Sequence, residues 1–294
     1  MTPIPTKLNA LELAHRLQRK AAEHKGDAGK VILIGGAPGM AGALLLAGKT
    51  CLHLGAGWTI LEMLDPVSAK ADSDQPELMI RLASDQSSDI LMQSKPDVIA
   101  IGPGLGNSPL AVEWLKAALA YPKIPIVIDA DAINLISESA SLLKAIQSRN
   151  AQFPGQTVIT PHPGEAAKLL KCSSTDVQAN RLDALLKLIA LTKSIVVLKG
   201  QHTLIASPDH SAVQCHAGNP GMGTGGMGDV LTGSIAAIAA QGVRHQLDLW
   251  ESTGIATQLH ASAADSLVQK GVGPIGLTPS ETFLEMRSLL NQQI

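Results

Sequence analysis

The sequence predicts an α/β fold, a doubly wound and mostly parallel central sheet with helices on both faces and an antiparallel edge. Three observations point to it. Short aliphatic runs stop repeatedly at glycine, proline or aspartate; helical stretches follow these runs; and after Lys199 the alternation gives way to two apolar runs around a turn. Strands buried on both faces read as continuous apolar runs, and their alternation with helices calls for right-handed crossovers.

The first helical candidate starts near Asn9, which can cap it while Glu12 returns the bond as a capping box, with Leu11, Leu13 and Leu17 on one side and Gly26 and Gly29 as its end. The predicted parallel strands are Val31 to Ile34, Thr59 to Met63, Val98 to Ile101, Ile126 to Ile128, Val158 to Thr160 and Ile195 to Leu198. His202 to Ala206 and Ala212 to His216 flank Ser207-Pro208-Asp209-His210, the turn of an antiparallel edge. From Asp229 onward the chain predicts three helices, with breaks near Gly242 and at Gly271 to Pro274. No low-complexity linker or fixed-period repeat divides the chain. Residues 1–294 therefore read as one domain, with residues 1–29 as an N-terminal helical extension.

Composition narrows the class of function. With 45% apolar, 16% charged and only 2% aromatic residues, the core must be aliphatic, and few rings are left to stack a nucleobase. A net charge of -2 supplies no basic stripe for a nucleic-acid backbone. Cys51, Cys172 and Cys215 are odd in number and widely spaced, which argues against a disulfide framework or a structural zinc and fits a reducing compartment. No apolar run reaches the roughly 18 residues that span a bilayer, and Met1 to Lys20 lacks a continuous apolar segment. A cytoplasmic protein without membrane or nucleic-acid partners is expected.

Nearly every unusual loop lies just after a predicted strand, at the carboxyl edge where such sheets bind ligands. The strongest is Asn219-Pro-Gly-Met-Gly-Thr-Gly-Gly-Met-Gly-Asp229, followed at once by the helical run Val230 to Ala240. Successive glycines let backbone N–H groups converge, and the helix adds its partial positive end, so Gly225, Gly226 and Gly228 form a candidate anion hole. Asp229, in the first turn of that helix, can take a proton from a hydroxyl attacking phosphorus. The bland alternative is a capping aspartate beside a flexible surface loop. A dinucleotide-binding glycine turn should follow the first strand, and Gly35-Gly36-Ala37-Pro38-Gly39 matches that pattern only loosely.

The remaining loops leave alternatives open. Gly102-Pro-Gly-Leu-Gly106 suits either close approach of a ligand or a tight strand-to-helix turn. Two prolines flank His162 in Thr160-Pro-His-Pro-Gly-Glu165 and aim its imidazole, unless it is a surface histidine; Glu165 suits a helix N-terminus. Lys199, in Lys199-Gly-Gln-His-Thr203, either meets phosphate oxygens or is a solvated residue of a hairpin. Asp129 and Asp131, at the end of another strand, could hold a divalent ion or a ribose hydroxyl, but with no further carboxylate at ligand spacing they are expected to cap a helix rather than to build a metal site. His53, His216, His245 and His260 lack partner spacing and are expected to be structural. No GxSxG elbow, HExxH pair or P-loop is present.

Taken in order, Val31 to Ala43, Gly55-Ala-Gly57, Ile101 to Gly106, Ile128 to Ala132, Thr160 to Glu165, Leu198-Lys-Gly200 and Asn219 to Asp229 resemble the carbohydrate-kinase-like domain of the ADP-dependent NAD(P)H-hydrate dehydratases, of the ribokinase-like superfamily. The resemblance covers nearly the whole chain beyond residue 30. It implies a ribokinase-like fold and a hydro-lyase that removes water from hydrated NADH or NADPH while ADP is converted to AMP and phosphate. ATP is the alternative nucleotide, and Mg2+ is expected through the nucleotide phosphates. It also implies that Ala43, Gly104 and His162 contact the hydrated dinucleotide, that Lys199, Gly200, Gln201, His202, Thr203 and Gly228 contact the adenine nucleotide, and that Asp229 acts on the substrate hydroxyl. Gln201-His202 and Met227 depart from the family's usual residues. A homotetramer and a separate epimerase for the same substrate are further implications, the epimerase being a domain for which this chain has no room.

Two other readings compete. A small-molecule kinase on the same fold, resembling hydroxyethylthiazole kinases, would use Asp229 on an alcohol and release a phosphorylated product. A nucleotide-binding regulator without turnover would not need the carboxylate.

Overall fold

The computed structural model describes residues 4–294, so the first three residues of the predicted extension lie outside the described residues. Ten strands form one sheet: β1 (Thr6–Lys7), β2 (Lys30–Gly35), β3 (Trp58–Met63), β4 (Met79–Leu82), β5 (Val98–Ile101), β6 (Ile126–Ile128), β7 (Thr157–Ile159), β8 (Ile195–Leu198), β9 (Leu204–Ala206) and β10 (Val213–Gln214). Their spatial order is β1-β10-β9-β8-β7-β6-β5-β2-β3-β4. Pairing is parallel from β4 across to β8, antiparallel at β8–β9 and β9–β10, and parallel again at β10–β1.

The helices are α1 (Ala41–His53), α2 (Ser87–Ser94), α3 (Pro109–Ala120), α4 (Ala130–Glu138), α5 (Ala140–Gln152), α6 (Pro163–Leu170), α7 (Ser174–Ala179), α8 (Arg181–Thr192), α9 (Met227–His245), α10 (Leu249–Gln269) and α11 (Pro279–Asn291). The two-residue period of the strands sorts them into two layers. Val31, Leu33, Val98 and Ala100 face one core with α1, α9, α10 and α11. Ile32, Ile34, Ile99 and Ile101 face the other, with α2 to α8. This is the doubly wound, mostly parallel architecture with an antiparallel edge expected from the sequence.

Three expectations need correction. The N-terminal extension is not an α-helix: Leu11–Leu17 is a 3-10 helix that Asn9 does not cap, because its side-chain amide donates to the Glu12 carboxylate (2.8 Å) instead of accepting from the backbone. Thr6–Lys7 of the extension instead adds a strand to the sheet edge. The break near Gly242 falls later, since α9 continues to His245 and ends on Gln246 in the left-handed region. Edge strand β4 was not expected at all. It is mostly exposed and carries Arg81, so it lacks the apolar continuity of the buried strands.

Two features of the fold build the site. The chain moves from β2 outward to β4 and then crosses to β5 on the other side of β2, so the carboxyl ends of β2 and β5 form the switch point where a crevice opens. Across it α1 and α9 pack backbone to backbone, because Gly233 has no side chain: a Cβ there would lie 2.1 Å from the Ala47 carbonyl oxygen. That close packing sets the N-terminus of α9 over the rim.

Candidate active site

At the switch point the loops after β2 and β5 are bonded to each other. The Gly36 N–H donates to the Pro103 carbonyl (3.0 Å) and the Ala37 N–H to that of Gly104 (2.6 Å). Gly104 has φ 56°, and a Cβ on it would come within 2.5 Å of the Met40 carbonyl oxygen and 3.3 Å of the Ala43 Cβ. Gly102 is equally constrained, with φ 133° and the Asp129 carbonyl oxygen 1.8 Å from where its Cβ would be. The tight turn thus accounts for both glycines by itself. It also brings Ala43 and Gly104 together on one wall.

Along the rim, Asp129 follows β6, Thr160 follows β7 and Lys199 follows β8, and their side chains converge under the start of α9. The Asp129 Oδ1 accepts from the Thr160 hydroxyl (2.6 Å) and the Lys199 Nζ (2.7 Å), and its Oδ2 accepts from the Thr232 hydroxyl of α9 (2.9 Å). Asp129 is 1% exposed, so its carboxyl group lies out of water and is held by these three donors. The expected capping role is therefore overturned for Asp129: it occupies the cap position of α4 but its side chain makes no cap bond. Asp131 does not cap either. Its Oδ2 accepts the N–H of Gly106 (2.9 Å) and so fastens α4 to the β5 turn.

Lys199 is neither solvated nor pointed freely at the rim. Its ammonium lies 2.7 Å from Asp129 and 3.9 Å from Glu165. Burial alone would lower its pKa, but the Asp129, Glu165 and Asp229 carboxylates outweigh burial and raise it. Beyond it, Gly200 takes φ 134°, a hole filled by Arg181, which donates to the Leu198 and Lys199 carbonyls. Gln201 and His202 are exposed at the turn, His202 with φ 54°, where a residue without Cβ is favoured; the Thr203 hydroxyl donates to the Gly200 carbonyl (3.0 Å).

The glycine-rich segment closes this wall. Asn219 accepts the Gly221 N–H on its side chain and donates to Asp265 of α10, whose other oxygen takes the Gly218 N–H. Past the 3-10 turn Pro220–Gly223 the segment opens: Cβ atoms on Gly223 and Gly225 would meet nothing within 4 Å. The N–H groups of Gly225, Gly226, Gly228 and Asp229 find no backbone acceptor among the described residues. Unspent donors at a helix N-terminus are an anion-binding arrangement. Gly228 lies directly over the ion pair, its missing Cβ 3.2 Å from Lys199 Nζ and 3.6 Å from Asp129 Oδ2.

Asp229, one residue further, is half-buried. Burial and the Asp129 carboxylate push its pKa up to about 7 against the pull of Lys199. A carboxylate poised there takes and returns a proton at neutral pH. His162 is the N-cap of α6. Its Nδ1 accepts from the N–H groups of Gly164 (2.9 Å) and Glu165 (3.3 Å), which leaves the proton on Nε2, 3.2 Å from Glu165 Oε1. Burial and the Lys199 ammonium lower the His162 pKa, which favours the neutral ring. Glu165 completes a capping box by accepting the His162 N–H (2.8 Å), and burial raises its pKa. The loops after β2, β5, β6, β7 and β8 and the start of α9 thus bring Ala43, Gly104, Asp129, His162, Lys199, Gly228 and Asp229 to the carboxyl end of the sheet. Asp129, Thr160, Thr232 and Asp265 were missed as partners; only Thr232, one helical turn beyond Gly228, sits at a spacing that could have shown it.

Of the remaining histidines, His53 bonds to Gln75, His245 lies 3.7 Å from Glu23, and His260 is buried. His216 is close to the site, its ring 5.3 Å from that of His202.

Comparison with known proteins gives the family. The NAD(P)H-hydrate dehydratase family profile matches residues 31–283. The ADP-dependent (S)-NAD(P)H-hydrate dehydratase of Neisseria meningitidis is 34% identical over 288 residues, which cover 96% of this chain and 92% of that protein. The bifunctional NAD(P)H-hydrate repair enzyme of Vibrio cholerae is 38% identical over 286 residues, 95% of this chain and 53% of that one. This chain spans about half the length of most of the curated relatives it matches. In fold it is similar to the ADP/ATP-dependent NAD(P)H-hydrate dehydratase of Bacillus subtilis, solved with ATP and Mg2+, with a TM-score of 0.82, 24% identity and 99% of each chain covered. A matching profile over most of the chain and a relative 34% identical across nearly the whole of both chains lead to one conclusion: the chain belongs to the NAD(P)H-hydrate dehydratase family.

Proposed function

We propose that this chain catalyses ADP-dependent dehydration of the 6S hydrates of NADH and NADPH, returning the dinucleotide with AMP and phosphate. The reading rests on one juxtaposition in a member of this family: a carboxylate raised to about 7 stands beside unspent N–H groups at the start of α9. The Ala43–Gly104 wall stands at the switch point of the same sheet edge. Asp229 takes the proton of the ring hydroxyl as its oxygen attacks the terminal phosphorus of ADP. The bond to AMP breaks, AMP leaves with the electron pair, and the N–H groups of Gly225, Gly226 and Gly228 hold the transferring phosphoryl group. The ring carbon–oxygen bond of the phosphate ester then breaks. Phosphate leaves and a proton departs from the neighbouring ring carbon, which restores the double bond.

In this reading Ala43, Gly104 and His162 line the substrate, and Lys199, Gly200, Gln201, His202, Thr203 and Gly228 line the adenine nucleotide. Magnesium would enter with the nucleotide. Among the described residues no cluster of three metal-ligating side chains stands ready, so its ligands would be phosphate oxygens and water. Its charge would offset that building up on the phosphoryl oxygens.

No described helix is long and apolar enough to cross a membrane, and the described cysteines are free. We place the protein in the cytoplasm as a homotetramer, a state that light scattering measures directly, with an epimerase activity supplying the 6S form. The test of function is to mix the purified chain with hydrated NADH and either ADP or ATP and follow the dihydronicotinamide absorbance. Recovery with release of AMP or ADP supports the dehydratase. Stable accumulation of a phosphorylated hydrate without recovery would instead mark a kinase.

A further inference from the structure

Beyond the Ala43–Gly104 wall a separate cavity of about 310 Å³ opens at the same rim. It runs between the loop after β2, the β5 turn, the outer face of α4 and the side of α6, and Met40 and Gly106 form its inner end. Met40 also touches the position of the missing Gly104 Cβ (2.8 Å from its own Cβ), so the cavity is continuous with the wall assigned to the hydrated ring. Its outer part is polar. Lys168 donates to Asn134 Oδ1 (2.8 Å), Asp131 fastens the Gly106 N–H, and Glu138 stands exposed with no ion pair among the described residues.

This cavity lies on the side of the site away from Lys199 to Thr203, where the adenine nucleotide is placed. A hydrated dinucleotide with its ring beside Asp229 therefore has its pyrophosphate and second nucleoside left to accommodate, and this is the space adjoining the wall that holds its ring. Resting on the proposed dehydratase reading, we infer that the cavity between α4 and α6 binds the adenosine end of the hydrated substrate and that Glu138 selects a ribose bearing a free 2′-hydroxyl, so that NADH hydrate is preferred over NADPH hydrate. The charge balance supports this. Two carboxylates, Asp131 and Glu138, face one ammonium, Lys168, which is already bonded to Asn134. A carboxylate accepts a hydrogen bond from a ribose hydroxyl, whereas a 2′-phosphate brings about two negative charges against it, and no arginine lines the cavity to take them.

The test is isothermal titration of the full chain with NADH hydrate and with NADPH hydrate, beside turnover of both with ADP. Wild type is expected to bind NADH hydrate about tenfold more tightly, the difference narrowing as salt screens the repulsion. Glu138→Lys is expected to shift the ratio toward NADPH hydrate by at least that factor. An equal affinity in wild type, or a ratio unmoved by Glu138→Lys, overturns the assignment even where both hydrates are turned over. Selective binding without turnover keeps the subsite and removes the dehydratase reading. Binding of neither hydrate removes both.

Discussion

Replacing Gly228 by alanine separates the catalytic reading of the rim from a purely structural one, because its effects on stability and activity differ. Gly228 lies in the first turn of α9 and is not in the left-handed region, so alanine adopts its backbone without strain. Restricting the unfolded chain in this way stabilises by about 0.4–1 kcal/mol. Against that gain, the new methyl would stand 3.2 Å from Lys199 Nζ. The ammonium must give by a few tenths of an ångström while Asp129 holds it at 2.7 Å. The two terms nearly cancel, and the melting temperature is expected to stay within about 4 °C of wild type. Activity is a different matter. The methyl stands over the Lys199 ammonium and so hinders that donor where a phosphoryl group is to be held. Losing one such donor costs about 10²–10³ in kcat. Thermal unfolding paired with AMP release from ADP and hydrated NADH reads both quantities. Full activity in Gly228→Ala would refute the anion hole, and parallel loss of stability and activity would show that the glycine serves packing alone.

Other predictions follow from the same cluster. Asp129→Asn removes the carboxylate that holds Lys199, Thr160 and Thr232, and leaves a buried ammonium without its partner; chemical denaturation is expected to show a loss of about 3–5 kcal/mol. A loss under 1 kcal/mol would mean that Lys199 finds another partner. For pH dependence, Asp229 must be ionised to take a proton, so kcat/KM is expected to rise with pH through about 7 and level off above it. Lys199 lowers the Asp229 pKa, so Lys199→Met is expected to move that limb to higher pH; a shift to lower pH would contradict the electrostatic account. His162→Ala loses the cap of α6 and is expected to cost about 0.5–2 kcal/mol, while His162→Asn keeps a capping acceptor and most of that stability. If both variants retain the wild-type KM for the hydrate, His162 is only a cap.

The buried sheet was legible because it obeys a simple pattern. Val98–Ile101, Ile126–Ile128 and Ile195–Leu198 have apolar side chains on both faces, so unbroken aliphatic runs marked them to the residue. Strands β1 and β4 escaped because edge strands need no such run: Thr6–Lys7 is exposed, and Met79–Leu82 is mostly so. The N-terminal segment failed for a related reason. Its leucines suit a helix, but the backbone N–H groups of Ala10 and Leu11 are taken by Gln258 of α10, a tertiary contact that no local pattern displays. The site divides in the same way. Glycines, prolines and the aspartate at a helix start stand out by residue type, so the anion loop, His162 and Asp229 could be picked from the chain. The hub at Asp129 could not, because its role depends on Thr160, Lys199 and Thr232 arriving from three other elements, and a strand-end aspartate reads locally as a cap. His162 shows the limit from the other side, since rigid prolines aim the ring equally well at a ligand and at the backbone of its own helix.

The central claim is that Asp229 primes the hydroxyl of the hydrated ring, and comparing wild type with Asp229→Asn tests it most directly. The Asp229 pKa is set by burial and neighbouring charges, with no hydrogen bond to its carboxylate among the causes, so the asparagine is expected to fold normally. With hydrated NADH and saturating ADP, wild type should restore the dihydronicotinamide absorbance with one AMP per NADH, and Asp229→Asn should be slower by about 10²–10⁴-fold. Recovery by Asp229→Asn at the wild-type rate would contradict the account.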